Sequence, residues 1–159
     1  MLHRVRQVWV HDLGHDERAA ILAWGSFTVA FGTVRALTHW IKAGHGPKSG
    51  GLSLGGHHFH HYNLGIGMLS GLGALLVRDQ AGALIRRSPL IPVAYGVANA
   101  LIADEAALLL DLQDVYWLPQ GRESVDIAFG AIGIGGLTLT SAPFVERYRR
   151  RTKEDAHQG

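Results

Sequence analysis

Four long segments almost free of charge, residues 19–41, 57–77, 91–112 and 125–145, constrain this 159-residue chain more than any motif in it. Each is about 20 residues or longer, enough as a helix rising 1.5 Å per residue to cross roughly 30 Å of hydrocarbon. A backbone in lipid must satisfy its own polar groups, which makes helices the form such segments take. Only 18% of the residues are charged and these crowd the ends and short connectors, while 47% are hydrophobic and 21 are glycine, a composition unlike that of an ordinary soluble domain. The expected fold is therefore all-α: one integral membrane domain over residues 1–159, a polytopic four-helix transmembrane bundle with a short amphipathic N-terminal helix. That helix is read from Leu2, Val5, Val8, Trp9 and Leu13, which recur at near-helical spacing beside Arg4, Arg6 and Arg18, and it is expected to lie on the membrane surface. No small-residue cleavage site follows a short hydrophobic core, so residues 1–18 do not read as a signal peptide.

Glycines inside the spans (Gly65, Gly67, Gly71, Gly73, and later Gly130, Gly133, Gly135 and Gly136) would weaken a soluble helix, yet they let membrane helices approach closely. The connector 42–56 is glycine-rich and turn-forming, without the order of a phosphate-binding loop. Residues 113–124 read as a further loop. Lys and Arg divide unevenly between the connectors. Arg4, Arg6, Arg18, Arg78, Arg86, Arg87, Arg147, Arg149, Arg150, Arg151 and Lys153 fall on one side, eleven in all, against Lys42, Lys48 and Arg122 on the other. The positive-inside rule then places both termini in the cytoplasm of a cell whose inner, or plasma, membrane holds the chain. The basic tail reads as topology and lipid contact, not as a nucleic-acid surface.

This topology brings the chemistry-bearing residues to one depth. His57, His58, His60 and His61 open the second span on its outer side, His39 ends the first, and Asp104, Glu105, Asp111 and Asp114 lie toward the outer end of the third. On a helix His57, His60 and His61 would stand at i, i+3 and i+4 and share a face. Asp104 and Asp111 share a stripe and Glu105 is turned about 100° from Asp104. The expectation is that Asp104 and Asp111 face the imidazoles while Glu105 meets Arg35, which lies inside the first span and needs an acidic partner. With no cysteine in the chain, thiolate ligands and cysteine nucleophiles are excluded. Nitrogen and oxygen donors suit a divalent metal such as Zn, Fe or Mn, with His57, His58, His60, His61, Asp104, Asp111, Asp114 and His39 as the candidate ligands. Asp104 and Glu105 are the candidate catalytic carboxylates, either of which could serve as general base for a metal-bound water.

Simpler explanations stand beside these. Buried charges must be paired whatever the function, and an Arg35–carboxylate pair could be structural glue. Tyr116 and Trp117 read as interfacial aromatics. Ser124 and Asp126 read as a helix cap and a partner for the helix dipole. The order His57-x-x-His60-His61 matches one histidine box of the membrane desaturases and hydroxylases, whose other boxes are missing here. A hydrolase or oxidase acting on a lipid-like substrate, a metal-ion or proton transporter or sensor, and a structural membrane protein are the function classes left open. Thin polar content in the inner half, where only Ser26, Thr28, Thr33 and Asn99 stand, favours a site confined to one side.

Residues 55–66, GGHHFHHYNLGI, and residues 103–126, ADEAALLLDLQDVYWLPQGRESVD, resemble the corresponding strings of a family of small, functionally uncharacterised bacterial integral membrane proteins with four spans. The resemblance covers the middle of the chain. It implies the four-span architecture and groups His57 to His61 with Asp104, Glu105, Asp111 and Asp114 as one unit, and it carries no activity, cofactor or substrate. The expected partners are the bilayer, a lipid-like substrate and a second copy of the chain, with no nucleic acid.

The basic-residue asymmetry makes a direct prediction. Topology reporters fused at Gly50 and Gln120 should read extracytoplasmic, and those after Gly82 and at the C-terminus cytoplasmic. A cytoplasmic signal at Gly50 would separate the histidines from the carboxylates and end the single-layer reading.

Overall fold

A computed structural model of the chain describes residues 1–45, 53–54, 57–58, 60–77, 87–106 and 119–158. These form α1 (Leu2–Gln7), a π-helical turn (Val8–Asp12), α2 (His15–Trp40) continued by a second π-helical turn (Ile41–His45), the two-residue strands β1 (Ser53–Leu54) and β2 (His57–His58), α3 (His61–Val77), α4 (Leu90–Asp104) and α5 (Pro119–Gln158). Apart from the small antiparallel ladder, in which Leu54 stands opposite His57, the described architecture is all-α with five helices.

The helix bounds correct several expectations. The second apolar segment becomes helical at His61, not His57. The third helix ends at Asp104, because Glu105 leaves helical geometry at φ −110°, ψ 19°. The fourth begins at Pro119, so residues 119–124 belong to a helix and not to a loop, and it runs 40 residues through the basic tail. Proline at a helix start costs nothing, since its missing N–H would be unpaired there anyway. Among the described residues one helix, His15–His45 including its π turn, is long and apolar enough to cross a membrane; the apolar α3 and α4 are shorter, at 17 and 15 residues.

α2 is the central element. It starts at Gly14, whose N–H is accepted by the Glu17 carboxylate at 2.8 Å, and Asp16 and Glu17 complement the positive end of the helix. α2 packs against both α4 and α5, with Phe27 at both contacts, while α3 packs against α4. The principal contacts thus order the helices α3, α4, α2, α5. The core between them is small: Phe27, Phe31, Ala100 and Ala103, flanked by Trp24, Ala30 and Phe129. Phe27 and Phe31 stack with ring centres 6.0 Å apart. The helices come this close because glycine stands where they cross. A Cβ at Gly96 of α4 would fall on the Ala23 carbonyl and the Ser26 hydroxyl of α2, and one at Gly65 of α3 would lie 2.6 Å from the Ala98 carbonyl oxygen of α4.

The N-terminal arm folds back on the molecule. α1 and its π turn dock on the C-terminal part of α5, where Val8 is fully buried and Trp9 meets Phe144 edge-on. Three ion pairs fix this seam: Arg4–Asp155 at 2.8 Å, Asp12–Arg151 at 2.6 Å and Glu17–Arg147 at 2.6 Å. Their partners on α5 are spaced four residues apart, one helical face, and the arm runs antiparallel along it. The hydrogen bonds from Arg151 hold the Asp12 carboxyl below its ordinary range. The expected N-terminal helix is thus present; Val8 and Leu13 of the arm are buried, while Leu2 stays 86% exposed.

Replacing Gly96 by Ala should lower stability by about 1–3 kcal/mol, the cost of forcing a methyl into a packed contact with backbone. Gly67→Ala, where an added methyl meets nothing within 4 Å, should be neutral or stabilising by up to about 1 kcal/mol. Thermal melts of the two variants in detergent compare them directly. Equal behaviour would show that α2 and α4 do not approach as closely as the structure has them.

Candidate functional site

The outer-facing expectation of one polar layer corresponds to a ladder of ionisable groups that follows the helix order. Arg35 and His39 stand one turn apart on α2 and project from the same face. Arg35 is 6% exposed, and its Nη1 donates to Asp104 Oδ1 at 3.1 Å; its Nη2 meets Asp126 Oδ1 of α5. Asp126 Oδ2 lies 3.2 Å from His39 Nε2. On the other side Asp104 Oδ2 lies 3.0 Å from His61 Nε2, which is 3.6 Å from Glu105 Oε1. Glu105 Oε1 is 3.2 Å from His60 Nδ1, and Glu105 Oε2 accepts the backbone N–H of Tyr62 at 2.9 Å. The ring of Tyr62 stacks on His60 with centres 5.5 Å apart.

Local folding explains why these groups meet. Asp104 is the last residue of α4, where the helix dipole disfavours a carboxylate, and Arg35 and His61 supply the compensation. Because the chain leaves the helix at Glu105, the side chain of Glu105 turns to the start of α3. That helix has no acidic residue in its own first turn and has unpaired N–H groups to satisfy. Glu105 thus caps α3 from a different helix, as a side chain of its own N-cap would.

Four of the sequence-derived candidates, His60, His61, Asp104 and Glu105, are therefore brought together, by a route other than the expected one. The shared helical face of His57, His60 and His61 does not form, since His57 and His58 lie in β2 and His60 precedes the helix. Asp104 faces an imidazole as expected, that of His61, but it also takes Arg35, and Glu105 faces the imidazoles in place of Arg35. The 100° rotation assumed between them holds only inside a helix, and the helix stops at Asp104. His39 joins the far end of the ladder through Asp126. Asp111 and Asp114 lie outside the described residues, as do Tyr116 and Trp117. Asp126, read from the sequence as a dipole partner at a helix start, sits eight residues into α5 by virtue of the Pro119 start, and its role is to bridge Arg35 and His39. The signal for it was present: it is the sole charged residue of the segment 125–145.

Among the described residues no group of three or more His, Asp and Glu side chains is placed to hold a metal ion. One ring nitrogen of each of His39, His60 and His61 is instead at hydrogen-bonding distance from a carboxylate oxygen, and both oxygens of Asp104 and of Glu105 are engaged. No known protein family, curated protein or solved structure matches the chain.

Removing Arg35 would strand two carboxylates. Arg35→Ala should cost about 3–5 kcal/mol or abolish folding, the range for breaking a buried pair. Combining it with Asp104→Asn should recover part of that loss, whereas combining it with Glu105→Gln should not. Denaturation of the single and double variants gives the coupling energies; strict additivity for Arg35 with Asp104 would mean that the pair carries no interaction.

Proposed function

We propose that this chain is an integral membrane protein of four spans whose outer half carries a cation-binding centre built on His60, His61, Asp104 and Glu105. The observation that carries the reading is charge balance in the ladder. Among the described residues three carboxylates, Asp104, Glu105 and Asp126, stand in the ladder with one guanidinium, that of Arg35, which meets Asp104 and Asp126. With the carboxyls ionised and the imidazoles neutral, two negative charges are left over. Asp104 is 1% and Glu105 6% exposed, and an uncompensated charge is very costly at such burial.

One divalent cation balances that charge, and imidazole with carboxylate is a donor set for Zn, Fe or Mn. Further donors in this reading are His57, His58, Asp111 and Asp114, with His39 at the distant end. The membrane assignment draws on the length of α2 and on an apolar exterior: Val29 is 69%, Ile127 70% and Leu139 77% exposed on the helices flanking the core. α3 and α4 are about 26 Å and 23 Å long, and the apolar segments 57–77 and 91–112 make up the rest of their spans in this reading. Both termini are cytoplasmic in it, by the distribution of Lys and Arg. The surplus of buried carboxylate is the ground for putting cation binding ahead of hydrolysis or oxidation of a lipid-like substrate in this reading.

Protons are the second reading, favoured by the separations of 3.0 Å and 3.2 Å between ring nitrogens and carboxylate oxygens. Two protonated imidazoles balance the ladder as well as one dication does.

Metal analysis of the purified protein separates the two. The wild type should carry up to one equivalent of Zn, Fe or Mn that a chelator removes, and His61→Ala and Asp104→Asn should lose it while Tyr116→Phe keeps it. Added metal at a hundredfold excess over its Kd should raise stability by about 2.7 kcal/mol. Binding should weaken as pH falls through the histidine range near ~6.5, since ligands must be deprotonated. A wild-type protein that carries no metal and gains no stability from any of the three leaves the ladder to protons.

A further inference from the structure

Beside the Arg35–Asp126 end of the ladder, α2 and α5 line a groove of about 250 Å³. Its walls are Phe31, Phe129 and Ile134, and its floor is glycine, including Gly32 and Gly130. It runs from Arg35 to Thr28 on α2 and from Asp126 to Ile134 on α5, about 10–12 Å along the helix axes. One end is charged and the other is hydrocarbon. In the orientation argued above, the charged end faces the outer surface and the apolar end points to the bilayer midplane. That is the polarity of a lipid in the outer leaflet.

The mouth decides which headgroup fits. Arg35 lines the groove too, but it is 8% exposed at its side chain and already holds two carboxylates, so it is not the most accessible group for an incoming headgroup. The headgroup meets the Asp126 carboxylate, 27% exposed, and the half-exposed ring of His39. A carboxylate backed by a second buried one, Asp104, repels an anionic headgroup and accepts hydrogen bonds from a cationic one. We propose that this groove holds one hydrocarbon chain of a phospholipid with a primary-ammonium headgroup, the ammonium donating to Asp126. A trimethylammonium headgroup has the charge but no N–H to donate. The proposal rests on the membrane reading and its orientation, and is independent of whether a metal occupies the other end of the ladder.

The floor offers a clean test. A Cβ at Gly32 or at Gly130 meets nothing within 4 Å, so a longer side chain at either position fills the groove without forcing the helices apart. The full-length protein, treated with chelator and reconstituted in nanodiscs of equal parts ethanolamine, choline and glycerol phospholipids, is released and its bound lipid read by native mass spectrometry. Wild type should retain ethanolamine lipid at least tenfold over choline lipid. Gly130→Leu and, from the opposite wall, Gly32→Leu should each reduce retained lipid at least tenfold, while Gly67→Leu, equally open but on α3, should retain it. Asp126→Asn should erase the preference for ethanolamine. Undiminished retention in the groove variants, or equal retention of ethanolamine and choline lipid by the wild type, overturns the proposal. Alkaline carbonate extraction of wild-type membranes reports on the underlying reading separately: release into the soluble fraction removes the membrane assignment and the lipid with it, whereas a membrane-retained protein with unaffected groove variants removes the lipid alone.

Discussion

Arg35 stands between Asp104 of α4 and Asp126 of α5, and because its own helix packs against both of theirs, one guanidinium ties three helices at a single level. A buried pair of this kind gains little over well-packed apolar side chains, but losing one partner is severe. Its contribution is therefore to specificity of arrangement more than to net stability. A one-turn slip of α2 against either neighbour would move Arg35 about 5.4 Å from its carboxylates and leave all three charges exposed to an apolar medium. The close crossings at Gly96 and Gly65 reinforce the same register, since a slip would bring a side chain to the contact where glycine now stands.

From that fixed point the ladder extends to α3 through helix-end chemistry. The end of α4 and the start of α3 have opposite partial charges, and the residues that meet there exploit both. Glu105 gives its carboxylate to the N–H of Tyr62, and His61 gives its ring to Asp104. The start of α3 is thus capped by Glu105, and the carboxylate at the end of α4 is met by a ring from α3. The consequence for function is that His60 and His61 are held against the carboxylates by backbone geometry, not by flexible side chains reaching across a gap.

The sequence made some of this legible and hid the rest for identifiable reasons. Charge-poor segments and glycine spacing anticipated helices in the right places, and the need of Arg35 for an acidic partner on the third segment was readable from the cost of burying it alone. What periodicity could not show was where each helix stops. The expected partnership of Glu105 with Arg35 assumed a helix continuing past Asp104, and the expected convergence of His57, His60 and His61 assumed one starting before His61. Both depend on boundaries, which are set by tertiary contacts such as the Glu105 to Tyr62 hydrogen bond that no local pattern encodes. Asp126 was visible as an isolated charge in an apolar segment, yet its bridging role depends on α5 beginning at Pro119 and on the position of α2. The arm's contact with α5 was likewise not readable, because the face it meets lies far along the chain, around Phe144 to Asp155.

The two ends of the molecule handle charge in opposite ways, and the contrast bears on which of them acts. At the arm end each described pair is matched one to one, Arg4 with Asp155, Asp12 with Arg151 and Glu17 with Arg147, at positions open enough that each is worth little on its own. No acidic side chain of these three pairs is left without a base. At the ladder end the carboxylates outnumber the arginine and lie deepest, the arrangement that costs most to maintain. A purely structural role would be met by one acid for one base, as the arm end shows this chain is able to build. Among the described residues the ladder end thus sets more buried carboxylate beside imidazoles than Arg35 balances, and that surplus is what the proposed cation or protons would complete.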